Sequence, residues 1–496
     1  MMKTLLTFLV LLLTLTAQAA YTEFYTHANG ANVNSGHTTN NAAVFSKTGG
    51  AWDQATGVYS FIDDDTVFAL VPLGSWASIY EDGFNLPRYI GRVTATNLTS
   101  ITVSLAAGSG SPPTNSASGM SLKVGGAWLG PSHSAGASVV GHPFTFVNNQ
   151  MTNTSGDWPR FLIKNDQVYA VTNLSIASNG PMRFEGYATT PGDGGQTIIS
   201  GVSPGASSVM FTIGVPNIDF AYFNFMSNGV SGAASGVSIT GGGTECTFYR
   251  CGVYYMRGSG FAVGGQSLLL ECEAATNCLG ASTIFAGITL STVGATARRC
   301  ISHDNATTGG AGFVLSSLTI AQHCVAHRNA RDGFYISSTT VGLITDCDSY
   351  NNTSNGVAMT SASAQSVVIE NVNVFKNGGR GIQSINNLRS GIIKNVVFGT
   401  GTATNGLGSI NTALLGMIDV AGSIDYGANL TPWVAPDSGN FSLTNTATTL
   451  YLGRGSFFQN AADHSGTVSY PDIGACAATN AAGGTTTTIS YPMFRR

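Results

Sequence analysis

The chain predicts an all-β fold: a parallel β-solenoid in its second half, a small N-terminal β domain before it and a C-terminal cap after it. Three observations carry this. Gly, Ser, Thr and Asn dominate a 496-residue chain with only 9% charged residues, and short β-branched runs sit between turn residues without a sustained helical period. A short element, Gly followed by alternating apolar residues, recurs as "GVSI" at Gly236, "GFAV" at Gly260, "GITL" at Gly287, "GFVL" at Gly312, "GFYI" at Gly333, "GVAM" at Gly356, "GIQS" at Gly381 and "GLGS" at Gly406, at steps of 21–27 residues. Two further columns keep the period: Cys246, Cys272, Cys300, Cys324, Cys347, Val372 and Val396, and five residues later Cys251, Asn277, Asn305, Asn329, Asn352, Asn377 and Gly401. Strand-type alternation on such a period fits one coil of stacked parallel strands per repeat.

The elements follow in order. Residues 1–19 hold Lys3, an apolar run from Leu5 to Leu15 and the small-residue pattern Ala17-Gln18-Ala19, and read as a secretory signal peptide cleaved after Ala19. Export follows as an expectation. No later stretch approaches the roughly 20 apolar residues of a transmembrane helix. Residues 20–150 lack the columns and contain Trp52, Trp76, Trp128, the strand-like "DTVFALV" and "YIGRVTATNLTSITVSL", and the break "GSGSPPTNSASG"; they read as a separate β domain with the Trp residues in its core. Asp63-Asp64-Asp65 reads as a turn. The coils occupy residues 151–406. Solenoid ends expose unpaired strand edges, so the N-terminal domain and the less regular segment 407–478 are the expected caps, with a flexible tail at 479–496.

The columns also assign the cysteines. Stacked Asn residues at a bend can bond amide to amide along the coil axis, which leaves the Cys column pointing inward. Coils are about 4.8 Å apart, whereas the Cβ atoms of a relaxed disulfide want about 3.8 Å. Mostly free, buried thiols are expected; Cys251 and Cys278 are the best-placed pair for a bridge, and Cys476 has no obvious partner.

The pattern Cys, x, small residue, x, x, Asn, then Gly and alternating apolar residues resembles the right-handed parallel β-helix, or pectin-lyase-like, superfamily from about Phe161 to Phe398. "RFEGYATTPGDGG" at Arg183–Gly195 is similar to the first coils of such proteins, and "SYPDIGACAA" at Ser469–Ala478 resembles their closing segment. The resemblance implies the fold. It carries over no catalytic residues, because such coils occur in lyases, hydrolases, epimerases, tailspikes and surface proteins. The chain lacks the Gly-His-Gly and Arg-x-Lys of polygalacturonases and the Asp-Pro-His-Glu of mannuronan epimerases.

Chemistry-bearing residues fall on the outward positions. With Cys324 inward, alternation turns His323 and His327 outward, about 13 Å apart at 3.3 Å per residue, too far for one metal ion. Across coils the neighbours are closer, and His327 is expected beside His303 and Tyr350. The same reading gives a strip of Glu271, Glu273, Arg299, His303, His323, His327, Asp346, Asp348 and Tyr350, extended by Asn371, Asn373 and Phe375 on one side and by Glu245 and Tyr249 on the other. Glu271, Glu273, His323, Tyr350, Tyr249 and Phe375 are candidate sugar contacts, the rings stacking and the polar groups meeting hydroxyls. His303, His327, Arg299, Asp346 and Asp348 are candidate catalytic groups. Asp346 and Asp348 project about 6.6 Å apart by strand rise, near the separation of an inverting glycosidase. A lyase would use His303, His327 or Arg299 as base, with Arg299, Arg328 or calcium on Asp346 and Asp348 neutralising a substrate carboxylate.

The formal net charge of −4 is spread thinly, without the basic patch that nucleic acid requires. Two function classes follow: an exported protein that binds a polysaccharide or cell-surface glycan with no required cofactor, or a polysaccharide lyase or glycoside hydrolase acting at the same strip. The small loop excursion that the spacing allows near residues 281–286 builds no deep cleft, which favours binding.

Overall fold

The computed structural model describes, with gaps, residues 45–124, 159–227 and 235–400, together with 22–26 and segments between 417 and 443. Residues 1–19, Asp63 to Asp65, Trp128, Cys476 and the tail 479–496 lie outside the described residues. The chain divides into two compact units, residues 1–202 with 211–224, and residues 203–210 with 225–496.

The first unit contains a closed antiparallel barrel of six strands, in the order Phe45–Asp53, Val58–Ser60, Ser100–Ser104, Tyr89–Thr96, Trp76–Glu81 and Ala117–Val124. Trp52, Tyr59, Ile79, Ile101, Val103, Met120 and Leu122 fill its interior, and the buried Tyr59 hydroxyl donates to the Met120 carbonyl (2.9 Å). Closure pairs every strand and removes the exposed edge. The expectation of a buried Trp holds for Trp52. Coil strands are present in the same unit: Thr22–Thr26, which precedes the barrel in the chain, pairs in parallel with Pro159–Lys164, and that strand pairs with Met182–Tyr187. Phe161, Phe184 and Phe220 stack face to face at 4.9 and 4.7 Å between centroids, a repeating aromatic filler of the kind parallel in-register strands create.

In the second unit each coil contributes a strand to three parallel sheets. The first sheet runs from Thr247–Tyr249 through Thr319–Gln322 to Met417–Asp419. The second runs from Gly252–Tyr254 through Val325–His327 to Ile424–Ala428, and the third from Ser235–Ile239 through Phe334–Ile336 to Ile382–Ser384. Between the first and second sheets the chain turns through one left-handed residue, Arg250, Glu271, Arg299, His323, Asp346 or Asn371, with φ of 49–56°. A second such row, Tyr255, Thr276, Asp304, Arg328, Asn351 and Lys376, follows the second sheet with φ of 51–60°. This conformation costs a non-Gly residue roughly 1–2 kcal/mol. It is held by amide bonds to the next coil, as from Arg299 N–H to the Gln322 carbonyl (2.9 Å) and from Arg328 N–H to that of Tyr350 (3.1 Å).

The columns take their expected structural roles. The Cys side chains are buried, and all seven described cysteines are free thiols, Cys251 and Cys278 included. The Asn column forms an amide ladder: Asn305 Nδ2 donates to Asn329 Oδ1 (2.7 Å), Asn329 to Asn352 (2.9 Å) and Asn352 to Asn377 (2.9 Å). The Gly column stands where a Cβ would meet both that ladder and the carbonyl of the next coil's glycine. A Cβ on Gly312 would lie 2.8 Å from Asn329 Nδ2 and 2.6 Å from the Gly333 carbonyl, and one on Gly333 would lie 2.9 Å from Asn352 Nδ2.

The structure corrects the register of one coil. Gly252 pairs with Glu273, so Cys251, not Cys246, stands in line with Cys272. Met256 takes the Asn position, its N–H donating to Asn277 Oδ1 (3.1 Å). The step from Cys246 to Cys272 mimics the usual period, while the true coil is shorter because the chain makes no excursion there. Arg250 and Tyr254 therefore replace Glu245 and Tyr249 in the outward rows.

Candidate functional site

The candidate site is the outward face of the second sheet with the left-handed corners on either side. Two outward rows run along the coil axis. One aligns Glu273, Ile301, Val325, Asp348 and Asn373; the other aligns Tyr254, Ala275, His303, His327, Tyr350 and Phe375. The expected neighbours of His327 are thus in place: its ring stacks on His303 at 4.7 Å between centroids and 8° between planes, and Tyr350 follows on the next coil.

His303 is the centre of a hydrogen-bonded chain. Its Nε2 lies 2.8 Å from Glu273 Oε1 and its Nδ1 lies 2.6 Å from Asp304 Oδ2. Ionised carboxylates only accept, so an imidazole that satisfies both must donate twice and carry a charge. Burial opposes that charge, but the two carboxylates outweigh it and raise the pKa of His303. Arg328 clamps Asp304 through Nε (2.8 Å) and Nη2 (2.7 Å), which with the His303 bond pulls Asp304 down to about 2. Tyr254 donates to Glu273 Oε2 (2.8 Å). His327, buried and facing the positive His303 and Arg328, is lowered to about 3 and stays neutral.

A second row of charge follows the first corner. Glu271 meets Arg250 (2.7 Å) and Arg299 (3.0 Å). His323 follows in that row and is lowered to about 4 by burial and then by Arg298 and Arg299. Asp346 accepts from Asn371 (3.0 Å) and is raised to about 6 by burial.

The strip divides into an open and a covered part. Side chains of Glu273, Asp304 and His303 are 43%, 37% and 19% exposed, whereas His327, Asp348, Tyr350, Asn373 and Phe375 are buried. Over the covered part, Asp437, in the short 3₁₀ turn Pro436–Ser438, accepts from the Tyr350 hydroxyl through Oδ1 (2.7 Å) and from Arg328 Nη1 through its carbonyl.

Among the sequence-derived candidates, the structure joins Glu273, His303 and His327 closely, with Tyr350 and Phe375 continuing the row. Glu271, Arg299, His323 and Asp346 lie in the corner row. Asp348 is buried against Asn373 (2.8 Å). Tyr249 belongs to the first sheet, where it pairs with Leu270, so it does not join the strip; the one-coil register error put it there. Asp304, Tyr254, Lys376 and Asp437 escaped the sequence reading. Asp304 was findable, since it directly precedes Asn305 as Arg328 precedes Asn329, but its left-handed φ was not visible to a strict alternation rule. Among the described residues no group of three or more His, Cys, Asp or Glu side chains is placed to hold a metal ion, and no helix is long and apolar enough to cross a membrane.

Comparison with known proteins bears on the fold. Residues 235–397 match the family described as "Right handed beta helix region". No curated protein matches the sequence. Solved structures similar to this chain include the Dettilon tailspike protein (13% identity, TM-score 0.38, 56% of each chain covered). The A-module of an Azotobacter vinelandii mannuronan C-5 epimerase shares 16% identity at TM-score 0.40, covering 54% of this chain and 71% of the module. A pectate lyase shares 14% at TM-score 0.38, covering 71% and 96%. The chain spans about half the length of the tailspike. The repeat, the three-sheet coil and the family match together make the solenoid of this chain a right-handed parallel β-helix.

Proposed function

We propose that this chain is an exported β-helix protein that recognises a polysaccharide or cell-surface glycan through the open part of the second-sheet strip. The observation that carries this reading is the composition of that open part. Glu271, Glu273, Asp304, Arg299 and Arg328 present acceptors and donors, while Ile301 and Tyr255, 37% and 44% exposed, add apolar surface beside them. A sugar ring offers hydroxyls at its rim and C–H groups on its faces, and a flat sheet with both kinds of contact suits a chain of such rings. The charged groups already satisfy one another, so they are held rigidly before ligand arrives, which lowers the entropic cost of binding. Export rests on the signal-peptide sequence of residues 1–19. Titration calorimetry against neutral and uronate-containing polysaccharides, with a Glu273→Ala/Arg328→Ala variant as control, tests the reading. Saturable binding lost in the variant is expected; no heat from any saccharide sinks it.

A second reading, a lyase or glycoside hydrolase at the same strip, is favoured by one observation: His303 is held between two carboxylates with a raised pKa, the setting of a general acid. Its assay follows unsaturated product and reducing ends with and without calcium. Absence of turnover, or turnover unchanged in His303→Ala, removes it.

A further inference from the structure

The hairpin Trp433–Ala435 with Asn440–Leu443 pairs antiparallel and carries Pro436–Ser438 at its tip. That tip meets the strip at two points of one residue: Asp437 Oδ1 takes the Tyr350 hydroxyl and the Asp437 carbonyl takes Arg328. Lys376 Nζ also donates to the Tyr350 oxygen (3.0 Å). Exposure along the outward row changes at this place, from a partly exposed His303 to a buried His327 and a buried Tyr350. Arg328 links the tip to the open part, because the same guanidinium that meets Asp437 also clamps Asp304, the partner of His303.

We propose that the turn Pro436–Ser438, carried by the paired strands Trp433–Ala435 and Asn440–Leu443, is a strap that closes one end of the strip, so that the protein takes the ends of saccharide chains and not their interior. The assignment of saccharide rests on the function proposed above; the strap does not. An extended ligand lying along the coil axis passes over Tyr254, Ala275 and His303, a length of about three coils or roughly 14 Å at 4.8 Å per coil. It then meets Asp437, which occupies the hydrogen-bonding positions of Tyr350 and Arg328 that a continuing chain would need. With the strap displaced, the rings of Tyr350 and Phe375 would extend the platform.

Two arms test this on the full chain, and they fail separately. In the first, tetranitromethane nitration of Tyr350 is read by peptide mass spectrometry. In the native protein Tyr350 resists, because burial and Asp437 hold its hydroxyl well above its usual pKa. Asp437→Ala removes a charge-assisted hydrogen bond and raises the nitration rate about tenfold, while Asp437→Asn, which keeps an acceptor, changes it far less. Equal nitration in all three proteins overturns the strap. In the second arm, equal masses of intact and partially hydrolysed alginate, pectate and starch are compared as ligands. Hydrolysis multiplies ends at constant mass, so capacity per mass rises with fragmentation for the native protein, and Asp437→Ala loses that preference. Capacity independent of fragmentation overturns end recognition. Binding to none of the three in either form sinks end recognition together with the glycan reading, and leaves the nitration arm to decide the strap.

Discussion

His303 and His327 stack face to face, 4.7 Å between ring centroids and 8° between planes, yet their environments drive them to opposite protonation states. His303 donates to Glu273 and Asp304 and is raised; His327, buried against that cation, is lowered to about 3. The consequences for stability have opposite sign. The stabilisation from the His303 pairs is fully present below the unfolded value of 6.5 and is lost as pH rises through its higher folded value. That from a neutral His327 is present above 6.5 and is lost as pH falls toward 3. Proton NMR of the ring signals should show His303 titrating above 6.5 and His327 unchanged down to pH 5. In Glu273→Gln one of the two carboxylates is neutralised, burial weighs more and His303 falls below its native value; an unmoved His303 would exclude the carboxylate as the cause.

Acid sensitivity should follow a proton count. From pH 6.5 down to 5, the unfolded chain takes up two protons, on His323 and His327, that the native state refuses at folded values of about 4 and 3. Asp346 works against them. Its folded value of about 6 exceeds its unfolded 3.8, so its contribution is fully present below 3.8 and is lost as pH rises through 6. The net is about one proton, and stability should fall by about 1.4 kcal/mol per pH unit between pH 6 and 5, above the range in which Glu273 and Asp304 join the count. Asp346→Asn keeps the acceptor for Asn371 but removes the opposing uptake, so its slope should approach about 2.7 kcal/mol per unit. Urea unfolding at stepped pH measures both slopes; identical slopes would remove Asp346 from the account.

The buried thiols make a simple chemical prediction. Cys246, Cys251, Cys272, Cys278, Cys300, Cys324 and Cys347 are all buried and free, and a buried thiol in apolar surroundings is inert. Ellman's reagent with peptide mapping should find none of the seven modified in the native protein and all seven in guanidinium. A disulfide mapped between Cys251 and Cys278, or native-state labelling of either, would contradict this packing.

The fold was legible because three structural demands repeat once per coil. Gly312, Asn329 and Cys324 each answer a constraint that recurs at every turn, so spacing alone revealed them. The site was legible only where it followed that spacing. His303, His327 and Tyr350 were aligned correctly, since in-register parallel pairing fixes neighbours across coils. Tyr249 was misplaced because the shortest coil offered two cysteines five residues apart, and only hydrogen-bond register distinguishes Cys251 from Cys246. The burial of Tyr350 was not legible at all. It involves Asp437, which is 87 residues from Tyr350 in the chain and belongs to no repeat.

The dependence of the Gly column on the Asn column can be measured directly. Asn329 is fully buried; its Nδ2 donates to Asn352 Oδ1 (2.9 Å) and the Ser302 carbonyl (3.1 Å), and its Oδ1 receives Asn305 Nδ2 (2.7 Å). Asn329→Ala leaves buried donors and acceptors on the adjoining coils unsatisfied and should cost about 2–3 kcal/mol. Gly312→Ala places a methyl 2.8 Å from Asn329 Nδ2 and 2.6 Å from the Gly333 carbonyl, an overpacking penalty of about 1–3 kcal/mol. Removing the Asn329 amide relieves the first of these clashes and not the second. The double variant should therefore lose less stability than the sum of the singles, by about 0.5–1 kcal/mol. A double-mutant cycle from urea unfolding provides the coupling. Strict additivity would mean that the Gly333 carbonyl and the Ala326 Cβ, 2.9 Å away, demand glycine without the amide, and that the two columns share a period without sharing a cause.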